Sequence, residues 1–151
     1  MYQPSKFQIT DLAVMHQLMR QHPLATIVTL GDDGLDANHI PLHLAEEGEL
    51  GTLRGHVARA NPLWQNLSGK QDTLIIFQGP ACYISPSFYP SKQVEGKVVP
   101  TWNYAVVHVV GKLQAQDDAA WVRRNLQDLT TFHEAGTARP WKVDDAPADY
   151  I

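Results

Sequence analysis

Cysteine is nearly absent: Cys82 is the only one among 151 residues. A single thiol cannot form an intrachain disulfide, and a cysteine cluster for zinc or iron–sulfur chemistry is excluded. A small, buried Cys82 is the expectation, because free cysteine packs as a compact hydrophobe. No apolar run approaches the ~20 residues that a membrane-spanning helix needs, and the N-terminal MYQPSKFQITD has no apolar stretch behind a basic start. A soluble, cytoplasmic protein without membrane contact is therefore expected. Basic charge is also in deficit, with 12 Lys plus Arg against 16 Asp plus Glu and a formal charge of −4. That balance does not support tight non-specific binding to DNA phosphates, and no helix-turn-helix pair followed by basic residues is present. DNA stays open as a partner only through a local patch. G-x-G-x-x-G, G-x-x-x-x-G-K-[ST] and G-x-S-x-G are all missing, so no Rossmann site, P-loop or nucleophile elbow is offered.

What is present reads as strands between two helices. Leu12, Met15, Leu18 and Met19 share one helical face behind a cap at Thr10 or Asp11, and His22-Pro23 ends that helix. Leu24 to Leu30, a Gly31-Asp32-Asp33-Gly34 turn and Leu35 to Leu44 form a hairpin pattern. Further extended runs follow at Glu49 to Ala58, Thr73 to Gln78 and Ala81 to Ser85, with a tight turn expected around Gly79-Pro80. Residues 85–100 hold three prolines and Gly96 and read as a long loop. Thr101 to Leu113 carries four valines between positions 106 and 110, and is expected to be a central strand. Asp117 or Asp118 caps a last helix to about Phe132, burying Val122, Leu126 and Leu129. The tail from Ala135 to Ile151 is polar and contains proline. One α+β domain over residues 1–151, mainly antiparallel, is the expectation.

Two segments carry chemistry. In Gly55-His56-Val57-Ala58-Arg59-Ala60-Asn61-Pro62 a strand ends, and Asn61 with Pro62 reads as the cap and first residue of a helix. A helix start with free N–H groups, Arg59 as a bidentate fork and His56 nearby would suit a phosphate, with Gly55 permitting close backbone approach. The alternative is an exposed arginine beside an ordinary cap. In Thr101-Trp102-Asn103-Tyr104-Ala105-Val106, strand alternation puts Trp102, Tyr104 and Val106 on one face and Thr101, Asn103 and Ala105 on the other. A flat heteroaromatic ring needs such an apolar surface with a few polar groups, although aromatics in strands also serve as core. His39 and His43 are four residues apart on one strand, roughly 13 Å, and cannot chelate one ion together. A set of His39, His56 and His108 is conceivable, yet nothing in the spacing selects it, so no metal site is expected. No catalytic residue can be assigned. Tyr83, Phe88 and Tyr89 could anchor an interface or pack over the chain's own core.

The blocks MYQPSKF, ATIVTL, NHIPL, GHVARANPLW, FQGPACYISPSFY, VPTWNYAVVHVVGKL, LTTFHEAG and the later PW together resemble the PaiB-like family of FMN-binding negative transcriptional regulators. The resemblance covers nearly the whole chain. It implies a split β-barrel, the FMN-binding split barrel shared with pyridoxamine-phosphate-oxidase-type flavoproteins, with flanking helices. It also implies a homodimer with one FMN in each groove between subunits. Carried over by position, His56 and Arg59 would hold the phosphate with Asn61 and Gly55 in support. Ala25 to Val28, including Thr26 and Val28, and His39 to Leu42, including Pro41, would supply strand edge near the ring. Thr101, Trp102, Asn103 and Tyr104 would close the site from one subunit or the other. Family members continue past this point with a basic segment, which this chain is expected to lack. Besides regulation, an FMN-dependent oxidoreductase of a small substrate fits the same resemblance, and haem binding or breakdown is a weaker alternative.

Overall fold

The structure is a computed structural model, and it describes residues 1–31, 33–65, 67 and 72–147. A first helix, α1 (Leu12–Gln21), starts where the Asp11 carboxylate accepts the Ala13 N–H at 2.8 Å. This satisfies one of the orphan donors of the first turn. Two strands follow, β1 (Leu24–Gly31) and β2 (Gly34–Pro41), paired antiparallel from Leu24↔Pro41 to Gly31↔Gly34. The expected hairpin is there, with Gly34 at φ 112°, a backbone conformation that side chains rarely adopt; Asp32 lies outside the described residues.

The expected single strand over residues 35–44 is instead two. Leu42 turns away from the ladder and donates its N–H to the carbonyl of Pro23 at 2.9 Å. Beyond it β3 (His43–Ala45) pairs with β4 (Thr52–Arg54) in a separate two-stranded sheet. The extended run expected over residues 49–58 is thus reduced to three residues. The helix expected behind Asn61 is one 3-10 turn, Pro62–Gln65; residues 66 and 68–71 lie outside the described set.

A second correction concerns β5 (Thr73–Ile84). No tight turn occurs at Gly79-Pro80: the strand continues through a bulge between Gln78 and Ala81. One extra residue bends and twists a strand without ending it. The loop to residue 100 contains two 3-10 turns, Pro86–Phe88 and Pro90–Gln93. Then β6 (Thr101–Gly111) pairs with β5 along its whole length, giving the strand order β2-β1-β5-β6. Despite its valines, β6 is an edge strand and not a central one. β-propensity reports fit to a pleated surface, and it does not count neighbours.

The last helix, α2 (Ala119–Glu134), begins where Asp118 accepts the Trp121 N–H at 2.7 Å. It buries Leu129, with Val122 and Leu126 half-buried as the periodicity predicts, and also Asn125. The tail folds back through a 3-10 turn at Val143–Asp145, where Val143 is buried and Asp144 pairs with Arg123; residues 148–151 are outside the described set. The architecture is α+β and mainly antiparallel, in a four-stranded and a two-stranded sheet, which is consistent with a split barrel although no closed barrel forms among the described residues. The core lies between them. Met19, Ala25, Ile27, Ile40, Leu42, Leu44, Leu63, Ile75, Phe77 and Val107 pack there, so the inward residues of all four strands meet α1 and the small sheet. No helix is long and apolar enough to cross a membrane.

Candidate functional site: an uncovered sheet face and a cationic loop

Strand alternation sorts the large sheet into two faces. Ala25 and Ile27 on β1, Ile40 on β2, Ile75 and Phe77 on β5 and Val107 on β6 point inward. The opposite face carries Thr26, Val28, His39, Pro41 and, on β6, Trp102, Tyr104, Val106 and His108. Among the described residues this face is the more exposed one, with His39, Pro41, Trp102 and Tyr104 all accessible. The pairing aligns one row across all four strands: His39 with Thr26, Thr26 with Ile76, Ile76 with His108. Thr26 Oγ1 and His39 Nδ1 are 3.0 Å apart, a hydrogen bond that ties the β2 edge to β1. His39 and His108 are three strand spacings apart, roughly 14 Å, and His56 sits across the sheet. The three histidines cannot share an ion within one chain.

Beyond Ile76 the sheet narrows. β1 reaches only the first part of β5, so Ala81–Ile84 and Thr101–Tyr104 form a two-stranded ribbon with nothing described beside it. Both strands of this arm are therefore exposed: Trp102 is 62% accessible and Tyr104 60%, and Trp102 meets Tyr83 edge-on at 6.2 Å between ring centres. Trp102 is not core. Cys82, expected to be buried, is exposed on the same arm beside Asn103, and Thr101 completes it. Two-stranded ribbons are marginal in water, so this one gains from being covered.

The other predicted residues lie elsewhere. Gly55, His56 and Arg59 line a cavity of about 700 Å³ on the inner side of the sheet, between the small sheet, the end of β6 and α2. Asn61 does cap its turn, accepting the Leu63 N–H at 2.8 Å, and its Nδ2 donates to Asn38 Oδ1 at 2.8 Å. One 3-10 turn has no macrodipole of consequence, so the anion site expected at this helix start reduces to its side chains. Arg59 is engaged by Asp117 at 2.6 Å and lies over the Trp64 ring at 5.2 Å. That hydrogen bond, and then the charge of the guanidinium, hold the Asp117 carboxyl below its ordinary value. The pair's contribution is therefore full above the ordinary carboxylate value and is lost as pH falls from there through the depressed one.

Gly55 has a structural reason that the sequence did not suggest. A Cβ there would meet Leu42 Cδ2 at 2.6 Å, the Pro41 carbonyl at 3.2 Å and Ile40 Cγ2 at 3.3 Å. The backbone leaving β4 is pressed against the end of β2, so the missing side chain serves this packing. Gly55→Ala is expected to lower unfolding free energy by about 1–3 kcal/mol, an overpacking cost readable in urea titrations. A change below about 0.5 kcal/mol would show that the crossing can relax.

Asn38 and Asn125 escaped the reading of the sequence, and Asp117, offered there as a helix cap, instead pairs with Arg59 while Asp118 caps the helix. Asn125 alone left a signal: it stands on the apolar stripe of α2, three residues after Val122 and four before Leu129. Asp117 and Asn38 matter through partners 58 and 23 residues away, which spacing does not reveal.

An uncovered antiparallel sheet face flanked by an aromatic arm, with a second small sheet that leads into a segment carrying His56 and Arg59, is consistent with an α+β protein of split-barrel type. The chain belongs to the family described as "Putative FMN-binding domain", which matches residues 1–151. Membership indicates FMN as the cofactor. Its relatives include a protein of Bacillus subtilis named protease synthase and sporulation protein PAI 2, 35% identical over 112 residues. That match takes in 74% of this chain and 52% of the relative, so the chain spans about half of it. Two fungal proteins described as uncharacterized are also similar. One, from Aspergillus fumigatus, is 34% identical over 94% of this chain and 72% of its own length. The other, from Emericella nidulans, is 30% identical over 93% and 70%.

The residues suit FMN by their chemistry. The outer face offers apolar strand surface with a threonine–histidine pair, the arm offers two exposed rings, and His56 and Arg59 offer donors for a phosphate. The residues expected at the ring and those expected at the phosphate sit on opposite sides of one sheet.

Proposed function

We propose that this chain is a single split-barrel domain that binds FMN as a homodimer and acts as a negative transcriptional regulator without gripping DNA directly. The observation that carries the cofactor site is the uncovered outer face, where Thr26, Val28, His39 and Pro41 stand in line with Trp102 and Tyr104. The outer face carries two histidines, His39 and His108, and, among the residues named on it, no lysine or arginine, so the arginine for a phosphate comes from elsewhere. Because His56 and Arg59 lie across the sheet, a second copy is the natural source of one half of the site. The exposed arm, with Trp102, Tyr104 and Tyr83, supplies the aromatic surface that such an interface uses. Asn61 steadies the phosphate loop by tying it to Asn38. Thr101 and Asn103, which alternate with the rings, give the arm its polar side.

FMN, when bound, supplies redox chemistry of its own. The chain's part is to support the ring on strand backbone, orient it through the Thr26–His39 pair, exclude water with the arm and hold the phosphate at His56 and Arg59. The relative in Bacillus subtilis carries sporulation in its name, and that supports the regulatory reading proposed for this chain. With a net charge of −4, direct DNA binding is disfavoured, and a gel shift at about 0.1 M salt is expected to show no retardation at micromolar protein.

The test of the cofactor reading is a fluorescence titration of the purified chain with FMN and with riboflavin. Saturable quenching by FMN that riboflavin does not match supports a phosphate-anchored site; equal affinity for the two would remove the anchor. Cys82 tests the dimer. Its thiol is exposed on the arm of one chain, so a thiol reagent is expected to label it fully at high dilution and several-fold more slowly at concentrations where the chain sediments as a dimer. Labelling independent of concentration, with a dimer present, would place the interface away from the arm.

A further inference from the structure

Asn125 is a polar residue where the pattern of α2 asks for an apolar one. It stands on the inward stripe, three residues after Val122 and four before Leu129, and is only 3% accessible. Its Nδ2 donates to the carbonyl of Gly55, 70 positions away in sequence, at 3.2 Å. That bond decides which way the amide faces, since a carbonyl can only accept. Oδ1 is left without a partner, the one such buried side-chain oxygen or nitrogen among the described residues. An unpaired buried acceptor costs stability, and a leucine of the same branched shape would carry no such cost. Stability alone therefore does not account for an amide at this position. What the amide does is hold Gly55.

Gly55 opens the segment that carries His56 and Arg59, and its carbonyl shares a planar, trans peptide unit with the His56 N–H. Turning the carbonyl toward α2 turns that N–H the opposite way, and among the described residues it meets no backbone acceptor. It is thus left as a donor for an anion, next to the His56 imidazole. The grip is repeated four residues on, where Asp117, in the segment that leads into α2, takes Arg59 at 2.6 Å. Asp118 beside it caps the helix. One helix and its leading residues therefore hold both ends of the stretch from Gly55 to Arg59. We propose that Asn125 is a positioning residue for phosphate recognition: by holding the Gly55 carbonyl it presets the loop on which His56 and Arg59 stand, so that less ordering remains when the anion binds. The inference rests on the reading of those two residues as the phosphate holders. Asn125 itself touches no ligand, because its unpaired oxygen is closed off from the cavity beside it.

FMN and riboflavin are the probes, since they differ by the phosphate alone. Asn125→Leu is expected to weaken FMN about 3–10-fold, the scale of one neutral hydrogen bond, and to leave riboflavin unchanged. Its urea midpoint should equal or exceed that of the unaltered chain, because the unpaired oxygen is gone and the half-buried Gly55 borders the cavity, where water reaches its carbonyl. Without any flavin, trypsin should cut after Arg59 several-fold faster, read by mass as peptides ending there. Asn125→Ser, whose hydroxyl is too short to reach Gly55, should also weaken FMN and spare riboflavin. A lower urea midpoint with both flavins weakened alike would make Asn125 a residue of the core and overturn the proposal. Equal affinity of the unaltered chain for FMN and riboflavin would remove the phosphate reading, and this inference with it. Preference for FMN retained undiminished in both variants would overturn the role of Asn125 alone.

Discussion

Phe77→Ala is expected to lower the unfolding free energy by about 3–5 kcal/mol, because Phe77 is the largest fully buried side chain among the described residues. Phe77 is fully buried and is paired across the ladder with Val107, itself buried, at the point where β5 meets both the core and the edge strand. Deleting the ring removes its transfer free energy and leaves a void that rigid neighbours such as Ala25 and Ile27 cannot fill. Domains of this size are commonly stable by only ~5–15 kcal/mol, so the variant would sit near its threshold. A urea titration should show the midpoint falling by a large fraction while the slope stays constant. Phe77→Leu, which keeps most of the volume, should cost markedly less. A loss below about 1 kcal/mol for the alanine would mean that β5 does not form the centre of this core.

Arg59→Ala is expected to weaken FMN about 10- to 100-fold and to leave riboflavin unchanged. A hydrogen bond to a charged group is worth about 1.5–3 kcal/mol, and 1.4 kcal/mol is a factor of ten in affinity. The neighbour Asp117 makes the test sharper. It already accepts from Arg59, so at neutral pH a bound phosphate must compete with an ionised carboxylate. Asp117→Asn removes that competitor and is expected to tighten FMN several-fold. The opposite signs of the two substitutions separate a phosphate contact from simple damage to the loop, which would weaken binding in both. Unchanged FMN affinity in Arg59→Ala would remove this residue from the site.

Local signals carried the helices well. Asp11 and Asp118 cap as their residue type predicts, His22-Pro23 ends α1, and the apolar stripe of α2 faces inward. The hairpin between β1 and β2 was legible for the same reason, since Gly34 and the flanking alternation act over a few residues. The split at Leu42 was not. Its cause is a hydrogen bond to Pro23, nineteen positions back, and a run of strand-forming residues looks the same whether it stays in one sheet or leaves it. Gly79-Pro80 reads as a turn in isolation, yet pairing with β6 on both sides carries the chain through as a bulge. Cys82 was misjudged toward the core, and Trp102 was left open between core and ligand surface, because burial statistics describe a residue with neighbours on both sides, and the arm has none.

The candidate site divides along the same line. Thr26, Val28, His39 and Pro41 share a face with Trp102 and Tyr104 because alternation is a local rule, so their common exposure follows from the sequence once the strands are known. The family, and FMN with it, is carried by contiguous blocks such as GHVARANPLW and VPTWNYAVVHVVGKL, and needs no coordinates. Only the tertiary structure decides that His56 and Arg59 lie across the sheet from the ring-side residues, that Arg59 is already held by Asp117, and that Gly55 is small because of Leu42. It alone exposes the unpaired oxygen of Asn125. Each of these depends on what stands opposite in space, and the chain encodes that through packing summed over distant segments, which no window of neighbouring residues contains.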